Sequence, residues 1–517
     1  MTHDARNRAM TLPSLSGGWL AFFGFALVFG IWSLATPLWS TPDSINHDVY
    51  AYSIGHGNLT PEHTSEFANG VNSNAITPVP LGIVRSIESA GCYAFKPENP
   101  ASCMKKVGTD SQLVSNLNSA GRNFPVYYAV TGVLSNFGSN AQALYLERLA
   151  AVLLAAWMLA WAVSGCLQMR RPGLATMGVL VSLTPMLAYL GGAVNPNTIE
   201  IVAAYALVAC SLAFYVNPDG PAAKTMFRRA MIAAAILGST RILGPAWLGV
   251  WAIGLLLIYG KSALTIAWAS SSRRLLLVPL FAVIANFAWL QYSGVDNIRE
   301  KPLFDLSFWE RLNWSARSIN GVLPQIIGNF GWLDTPLPVN LWITYTAVLL
   351  FAIGTVWAVL TPRQALAAMT ILVMSWLLPV MLQAWKYNLQ GPVWQGRYML
   401  PTVGMVPILI FALAANSNVG DTVWNSRFAQ WSRVGALGVL AVLHLWAFKV
   451  LMTRNVSGIR RDDMPAAKWP DWQPPLGQTV LYLSLTLVMI LGLAIVARTR
   501  MNAPDQPELE MNSSALR

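Results

Sequence analysis

Residues 18–48 read GWLAFFGFALVFGIWSLATPL (18–38) and then WSTPDSINHD (39–48). The first part is an unbroken apolar run of about 20 residues, the length a helix needs to cross a bilayer. The second part ends that run and sets two carboxylates and an imidazole, Asp43, Asp48 and His47, close behind it. Charge at a membrane boundary needs a reason, and chemistry on a lipid-linked substrate is one that fits.

The rest of the chain repeats the first part more often than the second. Apolar residues make up 55% and charged residues 11% of the 517, against roughly 25% charged in soluble domains. Apolar runs recur at 143–166, 174–193, 199–216, 229–241, 244–260, 274–293, 339–360, 365–385, 399–416, 434–452 and 478–497. Lipid cannot satisfy backbone groups, so the spans are expected to be helices, and the alternation of a β-barrel is absent. The expected fold is all-α, a polytopic bundle of about 12 spans. The fifth and sixth runs are short and predict a broken or re-entrant pair around Thr240-Arg241-Ile242-Leu243-Gly244-Pro245.

The net charge of +11 is not gathered into a basic arm, which argues against nucleic acid. Arg170-Arg171, Arg228-Arg229, Arg273-Arg274, Arg363, Arg498 and Arg500 stand in short loops beside spans, as the positive-inside rule expects. That rule predicts a cytoplasmic N-terminus (1–17) with a retained first span, a transmembrane domain over 18–498, and a disordered cytoplasmic tail (499–517). Segments 39–124, 294–338, 386–398 and 453–477 then fall outside. Arg454, Arg460 and Arg461 violate the pattern. Cys166 and Cys210 lie in apolar runs and read as packing residues, whereas Cys92 and Cys103 lie in the 39–124 segment. There the oxidising side permits a disulfide, with two free thiols as the alternative.

Several strings resemble one family, the polytopic proteins called domain of unknown function 2142. Thr36-Pro37-Leu38 followed by Pro42-Asp43 and His47 resembles its opening, a Pro-Asp-Glu-x-x-His pattern in the first outer loop. Asn123-Phe124-Pro125-Val126-Tyr127-Tyr128 looks like its Asn-Tyr-Pro-Pro-x-Tyr-Tyr string. Leu183-Thr184-Pro185 with Asn195-Pro196-Asn197, Phe330 through Pro338, and Gln395 through Pro401 match its later signatures, so the resemblance covers about residues 20–415. The family is similar to membrane glycosyltransferases of the GT-C fold. The resemblance implies transfer of a sugar from a polyprenyl-phosphate donor to a glycan or lipid acceptor, with an acidic residue of the first outer loop as base. It also implies work on the extracytoplasmic face of a bacterial plasma membrane. Here the family's Glu after Asp is Ser44, so Asp43 acts alone or with Asp48 as the second acid.

Sugar transfer needs a carboxylate to take the acceptor's proton and cations to receive the leaving phosphate. Asp43 is the expected base; the alternative is that it caps a helix beginning at Ser44. His47, four residues on, shares its face in a helix and could orient it or bind phosphate. Asp48 could join Asp43 around a divalent cation, Mg or Mn. Arg397 and then Arg241 are the expected donor-phosphate ligands, because a guanidinium fork matches phosphate oxygens. Arg148, inside a span, is costly there unless functional, or is neutralised by Glu147. Lys386 is a weaker ligand that snorkelling explains equally well. Asn195 and Asn197 at a turn, Trp332 beside Asp334, and Gln395 beside Arg397 are candidate substrate contacts. Arabinofuranosyl or mannosyl transfer into cell-wall glycan is the sort of reaction expected. Two rival readings are a transporter or flippase of a lipid-linked glycan and a non-catalytic assembly subunit.

Overall fold

The structure, a computed structural model, describes residues 14–498 apart from 67, 69–72, 295–301, 420–423, 425, 461–463 and 465–467. The polar tail after Arg500 lies outside the described residues.

Helix α1 (Ser14–Leu34) ends at the polar segment, which is itself folded. It holds α2 (Ser44–Gly55), a three-stranded antiparallel sheet of β1 (His63–Thr64), β2 (Asn74–Pro80) and β3 (Leu113–Asn118), and the short α3 (Leu81–Ile87) and α4 (Val126–Gly132). Ala75 lies opposite Asn118 and Pro80 opposite Leu113. Cys92 and Cys103 are bonded to each other. Then come α5 (Asn140–Cys166), α6 (Pro172–Val181), α7 (Pro185–Gly191), α8 (Pro196–Val216), α9 (Ala223–Thr240), α10 (Gly244–Tyr259), α11 (Ser262–Ala269) and α12 (Leu277–Tyr292). A second polar stretch carries α13 (Phe308–Ile319), α14 (Leu323–Ile327) and the paired strands β4 (Asn329–Phe330) and β5 (Thr335–Pro336). Helices α15 (Val339–Trp357), α16 (Pro362–Gln390), α17 (Leu400–Ala415), α18 (Arg427–Val456) and α19 (Gln478–Arg498) complete the chain.

Proline sets several of these starts, because its fixed φ suits a first turn and its missing N–H is not needed there. Pro185 begins α7 behind Thr184, whose hydroxyl accepts from Leu187 N, and the chain bends by 78° between α6 and α7. Pro196 begins α8 behind Asn195, whose side chain accepts from Asn197 N. Helix α8 is the axis of the core, enclosed by α5, α9 and α17. The polar segment is held equally closely. A Cβ on Gly55 would stand 2.1 Å from Gly132 O, and one on Gly132 would stand 1.9 Å from Ala51 O, so α2 and α4 touch backbone to backbone.

The span count differs from the expected 12. Among the described residues eight helices are long and apolar enough to cross a bilayer, or ten if each of two bent pairs is one span. The run 399–416 is the 16-residue α17, about 24 Å long at 1.5 Å per residue and short of a bilayer core of about 30 Å. The run 229–241 belongs to α9, whose first two turns carry Lys224, Arg228 and Arg229. Among the helix pairs apolar enough to cross together, sharp bends lie at α6–α7 and α10–α11 (102°), and the helix also breaks at Thr240–Pro245. There α9 and α10 join in a tight turn with a Gly244 Cβ position 1.9 Å from Leu237 O. Tyr127 and Tyr128 are buried, whereas Val126 and Val130 of the same helix are exposed.

Candidate active site

Asp43 is presented by the link between α1 and α2, and six of the nine carbonyls of residues 35–43 are held from elsewhere. The last carbonyls of a helix lack partners within it. Asn455 Nδ2 donates to Ala35 O at 2.8 Å, and Arg148 donates to Thr36 O at 2.7 Å and Pro37 O at 3.1 Å. Further along, Trp332 Nε1 donates to Trp39 O at 3.0 Å, Tyr189 Oη to Ser40 O at 3.0 Å, and Asn195 Nδ2 to Pro42 O at 3.5 Å. These anchors come from α5, α7, α18, the β4–β5 turn and the start of α8. Trp39 and Asp43 both take positive φ, 67° and 59°. Non-glycine residues in that region cost on the order of 1 kcal/mol or more, and persist where surroundings over-determine them. Arg148, Trp332 and Asn195, read from the sequence as substrate contacts, thus bind the backbone that sets Asp43.

Asp43 stands at the N-cap of α2, but its side chain caps nothing. It meets Arg397 instead, with Nη2 donating to Oδ2 at 2.5 Å, and keeps 48% of its side-chain surface accessible. Arg397 lies in a single turn (Gly396–Tyr398) before α17 and is buried. Its Nη2 also reaches Tyr398 Oη at 3.3 Å, while its Nε and Nη1 have no partner in the protein. Arg241, in the α9–α10 turn, donates to Asn197 Oδ1, and Asn197 Nδ2 donates to Asn195 Oδ1 at 2.7 Å. Both guanidiniums lie over the Tyr398 ring, Arg241 at 4.8 Å and Arg397 at 5.2 Å. A third, Arg122, feels the charges of Arg241 and Asp43. The Glu200 carboxyl of α8 interacts with Arg241, and the buried Gln395 Oε1 has no partner. Burial alone would raise the Asp43 carboxyl, but Arg397 first and Arg241 further off hold it below the usual carboxylate range.

His47 is placed by a directed chain of hydrogen bonds. Asn123 Nδ2 donates to Ala120 O at 3.2 Å, which fixes its amide, and also to Tyr128 Oη at 3.1 Å. The phenol's own proton is then free for His47 Nδ1 at 2.9 Å. Burial, together with Arg241, Arg397 and Arg122, pushes the imidazole down to about 3. A neutral ring accepting at Nδ1 carries its proton on Nε2 and so offers a donor.

The sequence-chosen residues therefore divide. Asp43, His47, Asn195, Asn197, Arg241 and Arg397 converge. Asp48 does not join Asp43: it faces Arg148 Nη2 at 4.0 Å with neither oxygen hydrogen-bonded, and burial raises it to about 7 against the pull of Arg148. No group of three or more His, Cys, Asp or Glu side chains could hold a metal among the described residues. Arg148 spends Nη1 and Nη2 on carbonyls, and its Nε, like both Glu147 oxygens, has no hydrogen-bond partner. Asp334 pairs with Arg454 at 3.0 Å. Lys386 lies over the exposed Trp385 ring at 4.9 Å. Sequence reasoning missed Arg122, Asn123, Tyr127, Tyr128 and Tyr398 as site residues, although all five stand inside or beside the quoted strings. Tyr127 Oη accepts from Asn195 N at 3.0 Å. It also lines an apolar cavity of about 130 Å³ with Val126, Val130, Leu154, Ile236 and Thr240, next to Arg241.

Residues 25–406 match the family described as Predicted membrane protein (DUF2142). No curated protein matches the chain. In fold it is similar to two crystal structures of ArnT from Cupriavidus metallidurans. The one bound to undecaprenyl phosphate is 14% identical over 93% of this chain and 77% of that one, with a TM-score of 0.39. The apo form is 13% identical over 94% and 77%, with a TM-score of 0.35.

Proposed function

This chain belongs to the DUF2142 family of membrane proteins, and we propose that it is a glycosyltransferase of GT-C architecture that uses a polyprenyl-phosphate sugar. One observation carries the reading. A half-accessible carboxylate touches a buried arginine whose Nε and Nη1 have no partner in the protein, with Arg241 and Arg122 close by. Three guanidiniums around one such carboxylate form a site for an anion beside a base, and the apolar cavity at Tyr127 suits the first part of a lipid tail.

In this mechanism Asp43 takes the proton of an acceptor hydroxyl as its oxygen attacks the anomeric carbon. The bond from that carbon to the phosphate oxygen breaks, configuration inverts, and Arg397 and Arg241 receive the charge of the leaving lipid phosphate. The neutral His47 donates from Nε2 to the sugar or the phosphate. The acceptor is a glycan or lipid of the cell envelope, the site faces the extracytoplasmic side of a bacterial plasma membrane, and arabinofuranose or mannose is the sugar class to try first. The test is turnover of the purified protein in lipid nanodiscs with a panel of polyprenyl-phosphate sugars. Transfer by wild type and its loss in Asp43→Asn are expected; an Asp43→Asn variant as active as wild type removes the base assignment.

A further inference from the structure

Helix α16 carries a ruler for the membrane. Leu366, Met369, Val373, Leu377, Met381 and Trp385 are exposed at three- and four-residue spacing, one continuous apolar stripe. From Leu366 to Trp385 that stripe is about 28 Å long at 1.5 Å per residue, which matches a hydrocarbon core of about 30 Å. Trp385 with Lys386 over its ring then marks the polar boundary, where tryptophan and lysine side chains collect.

The amphipathic α13 is tied to that same level. Arg311 Nη1 donates to Ala384 O at 3.3 Å and Trp385 O at 3.4 Å, and Gln383 Nε2 to Ser318 Oγ at 2.7 Å. Leu303 N donates to Asn388 O at 2.7 Å just before the helix. At about 100° per residue, Leu312, Ser315 and Ile319 form one face of α13, and Ser315 and Ile319 on it are buried. The neighbouring strip of Trp309 and Ala316 is exposed, Trp309 to 75%; Phe308, at the first residue of the helix on the buried face, is also exposed, as are Leu303 and Phe304 before it. Glu310 and Arg317 stand on the far side, with Trp314 half exposed beside them. Nothing in the protein covers this apolar strip among the described residues, and the bilayer boundary passes beside it.

We infer that α13 lies in the membrane interface, with Trp309 and Ala316 seated in the headgroup and upper acyl layer. Its partner is the lipid surface, with Arg311 and Lys386 beside the phosphates and Asp305 and Glu310 turned toward water. The inference is independent of the reaction. The seat does connect to the site, because Gln383 Oε1 accepts from Trp394 N at 2.9 Å and Trp394 packs on Tyr398.

The test uses nitroxide labels on single introduced cysteines in the full chain. Cys92 and Cys103 are bonded and Cys166 and Cys210 are buried, so they do not compete. Labels go at Trp309→Cys and Ala316→Cys, seven residues apart on the strip, and at Arg317→Cys on the far side. The protein is reconstituted in phosphatidylethanolamine–phosphatidylglycerol vesicles. Collision with dissolved oxygen should exceed collision with a water-soluble nickel chelate several-fold at 309 and 316, with the reverse at 317. Equal access of the chelate to all three labels overturns the inference. Exclusion of both reagents from 309 and 316 also overturns it, by placing another protein there.

Discussion

Two carboxylate–arginine pairs bracket this molecule, and they are built for opposite ends. Asp334 and Arg454 meet at 3.0 Å with side chains 7% and 0% accessible. Arg454 spends its remaining capacity on Asn99 O at 2.6 Å, Tyr93 O at 2.8 Å and the Tyr93 ring at 3.7 Å. Every group there is matched, and the pair ties α18 to the β4–β5 turn and to the segment closed by Cys92–Cys103. Asp43 and Arg397 meet as closely, but the carboxylate is half open and two of the arginine's nitrogens are unmatched. A buried cation with idle donors is costly to keep. The first pair is a strut, and the second leaves open the groups that the proposed reaction requires.

Exchanging the chemistry of the two pairs should separate them. Asp43→Asn should lower turnover on the order of 10²-fold or more, the contribution of a general base, with little change in Tm. Asp334→Asn should do the reverse; catalytic loss without loss of Tm would undo the distinction. For the arginines, Arg454→Ala leaves a buried carboxylate unpaired and should cost about 3–5 kcal/mol of stability, read as a fall in Tm. Arg397→Ala should cost about 2–4 kcal/mol in the transition state, read in kcat and donor affinity. Arg397→Lys should recover part of that loss, since an ammonium lacks the planar fork. An effect on acceptor affinity alone would move Arg397 out of the phosphate site.

The electrostatics sharpen the comparison through pH. Arg397 holds the Asp43 carboxyl low, so the acid limb of kcat/KM should lie below about pH 4, the ordinary carboxylate value. In Arg397→Ala the strongest opposition to burial is lost, with only His47 and Arg241 left to lower the carboxyl, and the limb should move to higher pH; an unmoved limb would assign it to another group. Asp48 behaves oppositely. Its carboxyl is raised to about 7 in the folded chain, so its contribution to stability is fully present below its unfolded value and is lost as pH rises through 7. Asp48→Asn should therefore raise Tm by on the order of 2 °C at about pH 8 and hardly at all at about pH 4. An equal shift at both would mean a packing effect. Last and smallest, stripping divalent cations with EDTA should leave turnover unchanged, because Asp43 is engaged by Arg397 and Asp48 faces Arg148. Restoration by Mg or Mn of activity lost to EDTA would reinstate a metal.

Composition and apolar run length made the bundle legible, and charge in improbable places exposed Asp43, Arg397 and Arg241, although Arg397 lies 354 residues from its partner. What a sequence cannot carry is direction. Asp48 looks like Asp43 on paper, yet one turn of α2 sends it to a different arginine. Arg148 and Trp332 were legible as unusual but not as anchors of backbone carbonyls, because that role depends on where the α1–α2 link passes. Arg454 looked misplaced by the rule of basic loops, and its burial against Asp334 and Tyr93 is the reason. The span count differs where apolar runs do not become long apolar helices: α17 is 16 residues, and α9 opens with Lys224, Arg228 and Arg229.

The contact of Gly55 with Gly132 bears on how such a site can move. Two helices in backbone contact have no side-chain cushion to compress and no slack to slide, so α2 and α4 behave as one casting. Asp43, His47, Tyr127 and Tyr128 are fixed in that casting. The Gln395–Tyr398 turn across the site is held in the same way, with a Gly396 Cβ position 2.7 Å from Ile326 N and Gly396 N donating to Gln325 Oε1 at 3.0 Å.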